Sequence, residues 1–256
     1  MNPPASSDWN SYLRKVAHFY DLVAQNVDLT VASGHLHVGL FDHTDESFAS
    51  AQLRLVLAAA SHVALAREQE VLDVGCGLGV PACVIAETFG VRMTGVTISA
   101  GQAHAGGRLA ALRKLGQQVG FVVADAHRLP FLPGSFGAAF ALESMLHMER
   151  KVALAQIRGS LRDHGEIVLC DWVATAELSE AEESALQGSM LMNAVSLPAY
   201  LQLFSNANYI DIQYEDWSRQ VAPTYDRWAA TQPRFANIMP LLREKLGYFC
   251  FWARAG

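Results

Sequence analysis

Short runs rich in valine and isoleucine alternate with longer helix-like stretches along the chain from residue 70 onward. The runs are, in order, EVLDVG, RMTGVTI, VGFVVAD, GAAFALE and GEIVLCDW. Between them, apolar residues recur at the three- and four-residue spacing of an amphipathic helix. This alternation is typical of strand–helix units that pack as a parallel sheet with helices on both faces. Because such connections are almost always right-handed, it favours an α/β fold with a doubly wound sheet.

The segments around this alternation extend the predicted fold. The three helical stretches run to Gly90, Gly116 and Gly165, and glycine suits the C-terminal cap of a helix. Two further apolar runs, NYIDIQYEDW and GYFCFWARA, are compatible with an antiparallel pair at one edge of the sheet. Residues 1–65 and 174–207 have helical patterns. We therefore expect a Rossmann-like, doubly wound, mostly parallel sheet of seven strands, with a helical N-terminal segment and an inserted helical cap.

The charge of the chain excludes one class of partner. Its 256 residues carry a formal net charge of −6, which leaves no basic surface of the kind that binds nucleic acids or anionic lipids. The N-terminus MNPPASSDWN lacks the pattern of a signal peptide, and no apolar stretch reaches the roughly 18 residues of a membrane helix. We therefore expect a single-domain, soluble, cytoplasmic protein that binds neither nucleic acid nor membrane. A homo-oligomer is left open.

The stretch VLDVGCGLG, residues 71–79, ends a buried strand with three glycines in five positions. Ligands of open α/β sheets bind at this edge, and glycines at positions 75, 77 and 79 leave the backbone bare. Dinucleotide-binding loops read GxGxxG instead, and Asp73 would repel a pyrophosphate while it suits a ligand with positive charge. A nicotinamide-dependent dehydrogenase is therefore disfavoured. A tight turn without any ligand is the alternative.

Polar residues also follow the next predicted strands. Thr97 ends the second strand, Asp125 follows the third, and Glu143 and His147 follow the fourth. The carboxyl ends of parallel strands meet at one edge, so we expect these side chains near the glycines. A neutral histidine, whose ordinary pKa is near 6.5, can accept a proton from a hydroxyl nucleophile. A structural histidine and a solvated Asp125 are the alternatives.

These stretches together resemble the class I S-adenosylmethionine (SAM) dependent methyltransferases. The matching motifs are VLDVGCGLG, VTISAGQ, VVADAHRLPFLPGSFGAAFALESMLHM and SLRDHGEIVLCDW, and the resemblance covers roughly residues 18–255. It is to the small-molecule branch with antibiotic sugar O-methyltransferases and sterol and tocopherol C-methyltransferases. The resemblance implies SAM as cofactor, a SAM-binding core over residues 66–256 with a cap insertion near 174–207, and a cap segment over 1–65.

The resemblance also implies the roles of individual residues. His147 is the general base, Glu143 lines the cofactor or steadies a cationic intermediate, and Asp171 either orients His147 or caps a helix. The cofactor-binding residues it implies are Tyr20, Asp73, Gly75, Cys76, Gly77, Gly79, Thr97, Ile98, Ser99, Gln102, Asp125, Ala126 and Glu143. Ser99 is in this set although its position before a helix favours an N-cap. The pair His35 and His37 is weighed as a metal site, but no metal is predicted.

The expected reaction is methyl transfer to a hydroxyl of a small, largely apolar, natural-product-like acceptor, with His147 as base. One alternative is methylation of an alkene or activated carbon, in which Glu143 would matter more. Another is a SAM-binding cyclisation catalyst or scaffold without methyl transfer. Apolar residues of the insertion are expected either to line the acceptor pocket or to form core; they are Leu191, Met192, Leu197, Tyr200 and Phe204.

Overall fold

The structure, a computed structural model, describes residues 9–26 and 35–256. The strands in this part of the chain are β1 (Glu70–Val74), β2 (Arg92–Thr97), β3 (Val119–Val123), β4 (Phe136–Leu142), β5 (Leu161–Ala174), β6 (Tyr209–Asp216) and β7 (Leu246–Ala255). The helices are α1 (Trp9–Gln25), α2 (Phe48–Ala60), α3 (Val80–Phe89), α4 (Ala100–Leu112), α5 (Arg150–Ser160), α6 (Glu180–Met190), α7 (Leu197–Asn206), α8 (Ser218–Thr231) and α9 (Met239–Glu244). Two 3-10 turns lie at Met145–His147 and Pro233–Phe235.

The seven strands form one sheet in the order β3-β2-β1-β4-β5-β7-β6. The pairs β3–β2, β2–β1, β1–β4 and β4–β5 are parallel. Strand β7 runs antiparallel to both β5 and β6, so the sheet is mixed. The prediction of a seven-stranded α/β sheet with antiparallel pairing at one edge is confirmed.

Both faces of the sheet are buried at its central strands, such as β1 and β4, which explains why these appear as continuous apolar runs. Successive residues point to opposite faces, so neighbours in β1 enter different cores. Val71 lies in the core on the side of α2 and α3, whereas Leu72 lies in the core on the side of α5 and α7. The same alternation separates Phe140 from Ala139 in β4.

The ends of two helices differ from their prediction. Helix α3 ends at Phe89, and its C-cap Gly90 has the left-handed conformation expected of a glycine cap. Helix α4 instead has its C-cap at Arg113, and α5 passes directly into β5 at Leu161. The polar residues before Gly165 form an irregular part of β5. Leu161 pairs with Phe136 of β4, the register then shifts, and His164 has a positive φ of +58°.

Helix α1 lies across the carboxyl edge of the sheet. Asp21 of α1 accepts hydrogen bonds from the Ser99 hydroxyl (2.5 Å) and from the backbone N–H of Gly101 (3.0 Å), at the start of α4. A carboxylate at the first turn of a helix is favoured by the helix dipole. This contact holds α1 over the strand ends, where the candidate site lies. None of the helices within residues 9–26 and 35–256 combines the length and hydropathy needed to cross a bilayer.

Candidate active site

A cavity of about 280 Å³ opens at the carboxyl edge of the sheet, beneath α1. Its lining includes most of the residues predicted from the sequence: Tyr20, Asp73, Gly75, Cys76, Gly77, Thr97, Ile98, Gln102, Asp125, Ala126, Glu143 and His147. Three predicted residues lie outside the lining, namely Gly79, Ser99 and Asp171. The structure therefore brings one strand end after another to a common space, as parallel pairing requires.

The three glycines of the loop after β1 serve different purposes. A Cβ atom on Gly75 would lie 2.2 Å from Cβ of Ser144, and one on Gly79 would lie 2.3 Å from the Phe121 ring. Both residues also have positive φ, at +73° and +79°. Gly77 differs, because its nearest neighbour would be Leu36 at 3.6 Å. Close packing within the protein thus requires Gly75 and Gly79, while Gly77 presents bare backbone to the cavity.

Asp73 brings an unpaired carboxylate oxygen to the cavity. The residue is 2% exposed, and its Oδ2 has no hydrogen-bond partner among the described residues. Burial raises the pKa of this carboxyl to about 7. A buried carboxylate without a partner is costly, so a cationic ligand group beside it would be strongly favoured.

The residues at the end of β2 and the start of α4 form a small hydrogen-bonded cluster. The Thr97 hydroxyl donates to Oε1 of Gln102 (2.7 Å) and accepts from the backbone N–H of Ser99 (3.1 Å). The Ser99 hydroxyl accepts from the backbone N–H of Gln102 (3.0 Å), which is the N-cap geometry. Ser99 therefore caps α4, in agreement with the alternative favoured by its sequence position, and it does not line the cavity.

Asp125 is held by its neighbour in the loop after β3. Its carboxylate accepts from the backbone N–H of His127 (2.9 Å) and lies 2.8 Å from Nδ1 of the same ring. Burial acts to raise the pKa of Asp125, but the bonds from His127 outweigh it and the pKa is lowered. The group is a fixed anionic acceptor at the cavity wall.

Glu143 is held from two sides. Its Oε1 accepts from the backbone N–H of Val38 and from the Tyr248 hydroxyl, each at 2.8 Å. Its φ of +52° is unusual for a residue with a side chain and turns the chain sharply after β4. Burial raises the pKa of Glu143 to about 8, although the two hydrogen bonds oppose the rise.

His147 is fixed in one tautomer by its two partners. Its Nδ1 lies 2.8 Å from the carbonyl oxygen of Leu191, and its Nε2 lies 2.8 Å from the Tyr20 hydroxyl. Because a carbonyl oxygen can only accept, Nδ1 carries the proton and Nε2 presents its lone pair to Tyr20. Burial lowers the pKa of His147 to about 4, so the ring is neutral. The neutral ring can therefore accept a proton at Nε2.

Asp171 does not contact His147, which corrects the expectation of direct orientation. Its Oδ2 accepts from Nη2 of Arg150 (3.1 Å) and from the Tyr200 hydroxyl (2.7 Å). Nor does it cap a helix, since Ser179 caps α6. Nη2 of Arg150 also donates to the carbonyl oxygen of Asn193 (2.7 Å). The buried ion pair thus holds the segment that carries the carbonyl partner of His147.

The acceptor side of the cavity differs from the prediction. Leu191, Met192, Leu197, Tyr200 and Phe204 are absent from the described lining. Tyr200 and Phe204 are fully buried and pack against Phe251 of β7. The lining comes instead from α1, the end of α6, β5, α8 and the 3-10 turn after α8; its members there are Leu13, Val16, Phe19, Val23, Ser189, Met190, Trp172, Trp228, Gln232, Arg234 and Phe235. The amphipathic pattern of α1 could have predicted Leu13, Val16, Phe19 and Val23 from the sequence.

The pair His35 and His37 bonds internally. Nδ1 of His37 donates to the carbonyl oxygen of Val38 (2.8 Å), so its Nε2 accepts from Nδ1 of His35 (2.8 Å). Burial lowers the pKa of His37 to about 4. Within residues 9–26 and 35–256, no group of three or more histidine, cysteine or acidic side chains is arranged to hold a metal ion.

Comparison with known proteins places this fold and site in a class. Residues 71–165 match a family model described as a methyltransferase domain. The chain is 30% identical over 258 residues to the chloroplastic tocopherol O-methyltransferase of Arabidopsis thaliana, covering 91% of this chain and 73% of that protein. The chain therefore belongs to the SAM-dependent methyltransferases, in their small-molecule branch, and SAM is its cofactor.

Two solved structures are similar over almost the whole chain. The [4+2]-cyclase SpnF has a TM-score of 0.80 and 25% identity, covering 94% of this chain and 95% of that one. Geranyl diphosphate C-methyltransferase from Streptomyces coelicolor A3(2), crystallised with S-adenosyl-L-homocysteine (SAH), has a TM-score of 0.85 and 19% identity, covering 96% and 98%. The second likeness concerns the fold alone.

The residues present fit this cofactor. SAM carries an ammonium and a sulfonium group, and the unpaired Oδ2 of Asp73 is an acceptor for positive charge. The bare backbone at Gly77 leaves room for an extended chain against the loop.

Proposed function

We propose that the protein transfers the methyl group of SAM to a hydroxyl of a small, largely apolar acceptor, with His147 as general base. The observation that carries the proposal is the tautomer of His147. A neutral imidazole with Nδ1–H bonded to a carbonyl leaves Nε2 as its proton acceptor, inside the cavity. A relative named 27-O-demethylrifamycin SV methyltransferase, 30% identical over 224 residues, supports transfer to oxygen.

When bound, SAM supplies an electrophilic methyl group on a sulfonium, so the protein mainly positions the nucleophile and removes its proton. In this proposal Asp73 and the loop from Gly75 to Gly79 hold the amino-acid end. Asp125 and Ala126 bind the adenine end, and the Thr97–Gln102 pair lies near the ribose. Glu143, fixed by Val38 and Tyr248, closes the cavity beside the reacting atoms.

The proton of the acceptor reaches His147 through Tyr20. The single lone pair of Nε2 is taken by the Tyr20 O–H, but the Tyr20 oxygen keeps lone pairs of its own. An acceptor hydroxyl bonded to that oxygen passes its proton to Tyr20 while the phenol proton moves to Nε2. Burial raises the pKa of Tyr20, so the phenol stays neutral between transfers.

The acceptor occupies the apolar side of the cavity in this proposal. Leu146, Trp172, Met190, Trp228 and Phe235 form its walls. Residues 1–65 and the insertion near 174–207 act together as a cap. Within residues 1–65, α1 is the helix that crosses the strand ends. Residues 1–8 and 27–34 of that segment lie outside the described residues.

The site of methylation tests this proposal. The protein is incubated with SAM that carries an isotope-labelled methyl group and a panel of apolar phenols and alcohols, and NMR locates the label. A methyl ether is the expected product, and the His147→Ala protein serves as the matched control. A methyl group on carbon would contradict the proposal.

Two other functions have specific support. Glu143, held in place by Val38 and Tyr248, would as a carboxylate steady positive charge during carbon methylation, and its substitution would then slow transfer more than that of His147. The likeness to SpnF favours a cyclisation catalyst. Tight SAM binding without transfer to any acceptor in the panel would favour that second alternative.

A further inference from the structure

The cavity lining contains both acidic side chains and an arginine. Asp73, Asp125 and Glu143 lie at the strand ends, where the cofactor is proposed to bind. Arg234 comes from a different part of the chain, the 3-10 turn after α8. Among the described lining residues, Arg234 is the only lysine or arginine. The acceptor side therefore has one permanent positive charge, carried by a solvent-exposed side chain among mostly apolar lining residues.

The Arg234 guanidinium is positioned but not neutralised. Its Cζ lies 4.5 Å from the ring centroid of Phe235 and 5.6 Å from that of Phe19, so two aromatic faces hold it. Its Nη2 donates to Oε1 of Gln232 at 3.0 Å. Arg150, by contrast, is paired with Asp171. Arg234 has no carboxylate partner in the part of the chain that the structure describes.

This guanidinium also lies near the proposed reacting groups. Phe19, under Arg234, precedes Tyr20 in α1, and their ring centroids are 5.1 Å apart. Tyr20 bonds to His147. A group bound by Arg234 is therefore within one small molecule's length of the proposed base.

We propose that Arg234 binds one carboxylate on the acceptor, which is then an apolar hydroxy acid. This inference rests on the proposed function. A guanidinium offers several donors in a fork that matches a carboxylate, and the rings of Phe19 and Phe235 hold this one in place. A diphosphate would need more cations or a metal ion, and the described lining has only this one. The apolar residues around it bind the body of the acceptor.

A matched pair of fluorescent probes tests the proposal on the SAH-loaded protein. One is 8-anilinonaphthalene-1-sulfonate, a monoanion, and the other is N-phenyl-1-naphthylamine, which lacks the sulfonate. The wild-type protein should bind the anion more tightly, and the two probes should compete. Arg234→Gln should weaken binding of the anion about tenfold, as expected for a hydrogen bond to a charged group. Binding of the uncharged probe should not change.

Two further variants complete the test. Arg234→Lys, which keeps the charge but not the fork of donors, should weaken binding of the anion less than Arg234→Gln does. Arg243→Gln removes an exposed arginine outside the cavity lining and should change neither probe. Equal weakening of both probes, no effect of Arg234→Gln, or equal wild-type affinity for both would overturn the proposal. Because no methyl transfer is measured, failure of the proposed function would appear separately, in the labelling experiment.

Discussion

The hydroxyl of Tyr20 lies 2.8 Å from Nε2 of His147, so α1 reaches across the cavity to the residue that follows β4. The opposite nitrogen of the ring bonds to Leu191, at the end of α6. Three parts of the chain that are distant in sequence therefore meet at one imidazole. Its role as a base depends on all three.

Removal of the Tyr20 hydroxyl tests the proton route. Tyr20→Phe should slow methyl transfer by about 10²-fold or more, comparable with His147→Ala, because the relay oxygen is lost. The double variant should be no slower than His147→Ala alone, since residues that act as a unit are not additive. Tyr214→Phe, at an exposed tyrosine of β6, is the control in the same kcat assay. A Tyr20→Phe protein with the wild-type kcat would rule out the relay.

The raised pKa of Asp73 predicts pH-dependent cofactor binding. In the free protein the carboxyl titrates near pH 7, and a bound cation lowers that pKa, so binding releases a proton below pH 7. SAH affinity should therefore rise with pH up to about 7 and then level off. Calorimetry in buffers with different ionisation enthalpies measures the released proton. Asp73→Asn should lose that proton release; an unchanged release would contradict this role of Asp73.

The buried pair of Arg150 and Asp171 should matter strongly for stability. Arg150→Met leaves Asp171 buried and unpaired, which should lower the free energy of unfolding by about 3–5 kcal/mol. Urea unfolding measures it. The double variant with Asp171→Leu should recover part of the loss. Arg254→Met, which breaks an exposed pair with Asp211, should hardly change the urea midpoint. Equal effects of the two single variants would show that burial is not the cause.

Alanine at Gly75 and at Gly77 should have different consequences. At Gly75 the new Cβ meets Ser144 at 2.2 Å, so strain and overpacking both lower stability. At Gly77 only the positive φ is penalised, by about 1–2 kcal/mol, but the methyl group enters the cavity. Gly77→Ala should therefore be the more stable protein in urea and yet bind SAH weakly by calorimetry. Wild-type SAH affinity in Gly77→Ala would contradict the placement of the cofactor.

The sheet was predictable because buried parallel strands appear as unbroken apolar runs. The ends of α4 and α5 were not, since the helical patterns continue to Gly116 and Gly165, whereas α5 ends at Ser160. Leu161 begins β5 because it pairs with Phe136 of β4, and no local pattern records that pairing.

The residues at the strand ends, such as Asp73 and His147, were predictable because parallel strands deliver them to one edge. Contacts made by helices were not predictable in the same way. Asp21 and Arg150 act through partners far away in sequence, and their spacing to those partners follows no rule. Asp171 illustrates the difference: it lies in β5, but within the strand and not at its end, and its partners are Arg150 and Tyr200.

The most direct test of the central claim is single-turnover methyl transfer. SAM-loaded wild-type and His147→Ala proteins are compared with an acceptor that became methylated in the labelling experiment. The account predicts that the variant transfers at least about 10²-fold more slowly while its SAH affinity is unchanged. Equal transfer rates in the two proteins would contradict the assignment of His147 as the base.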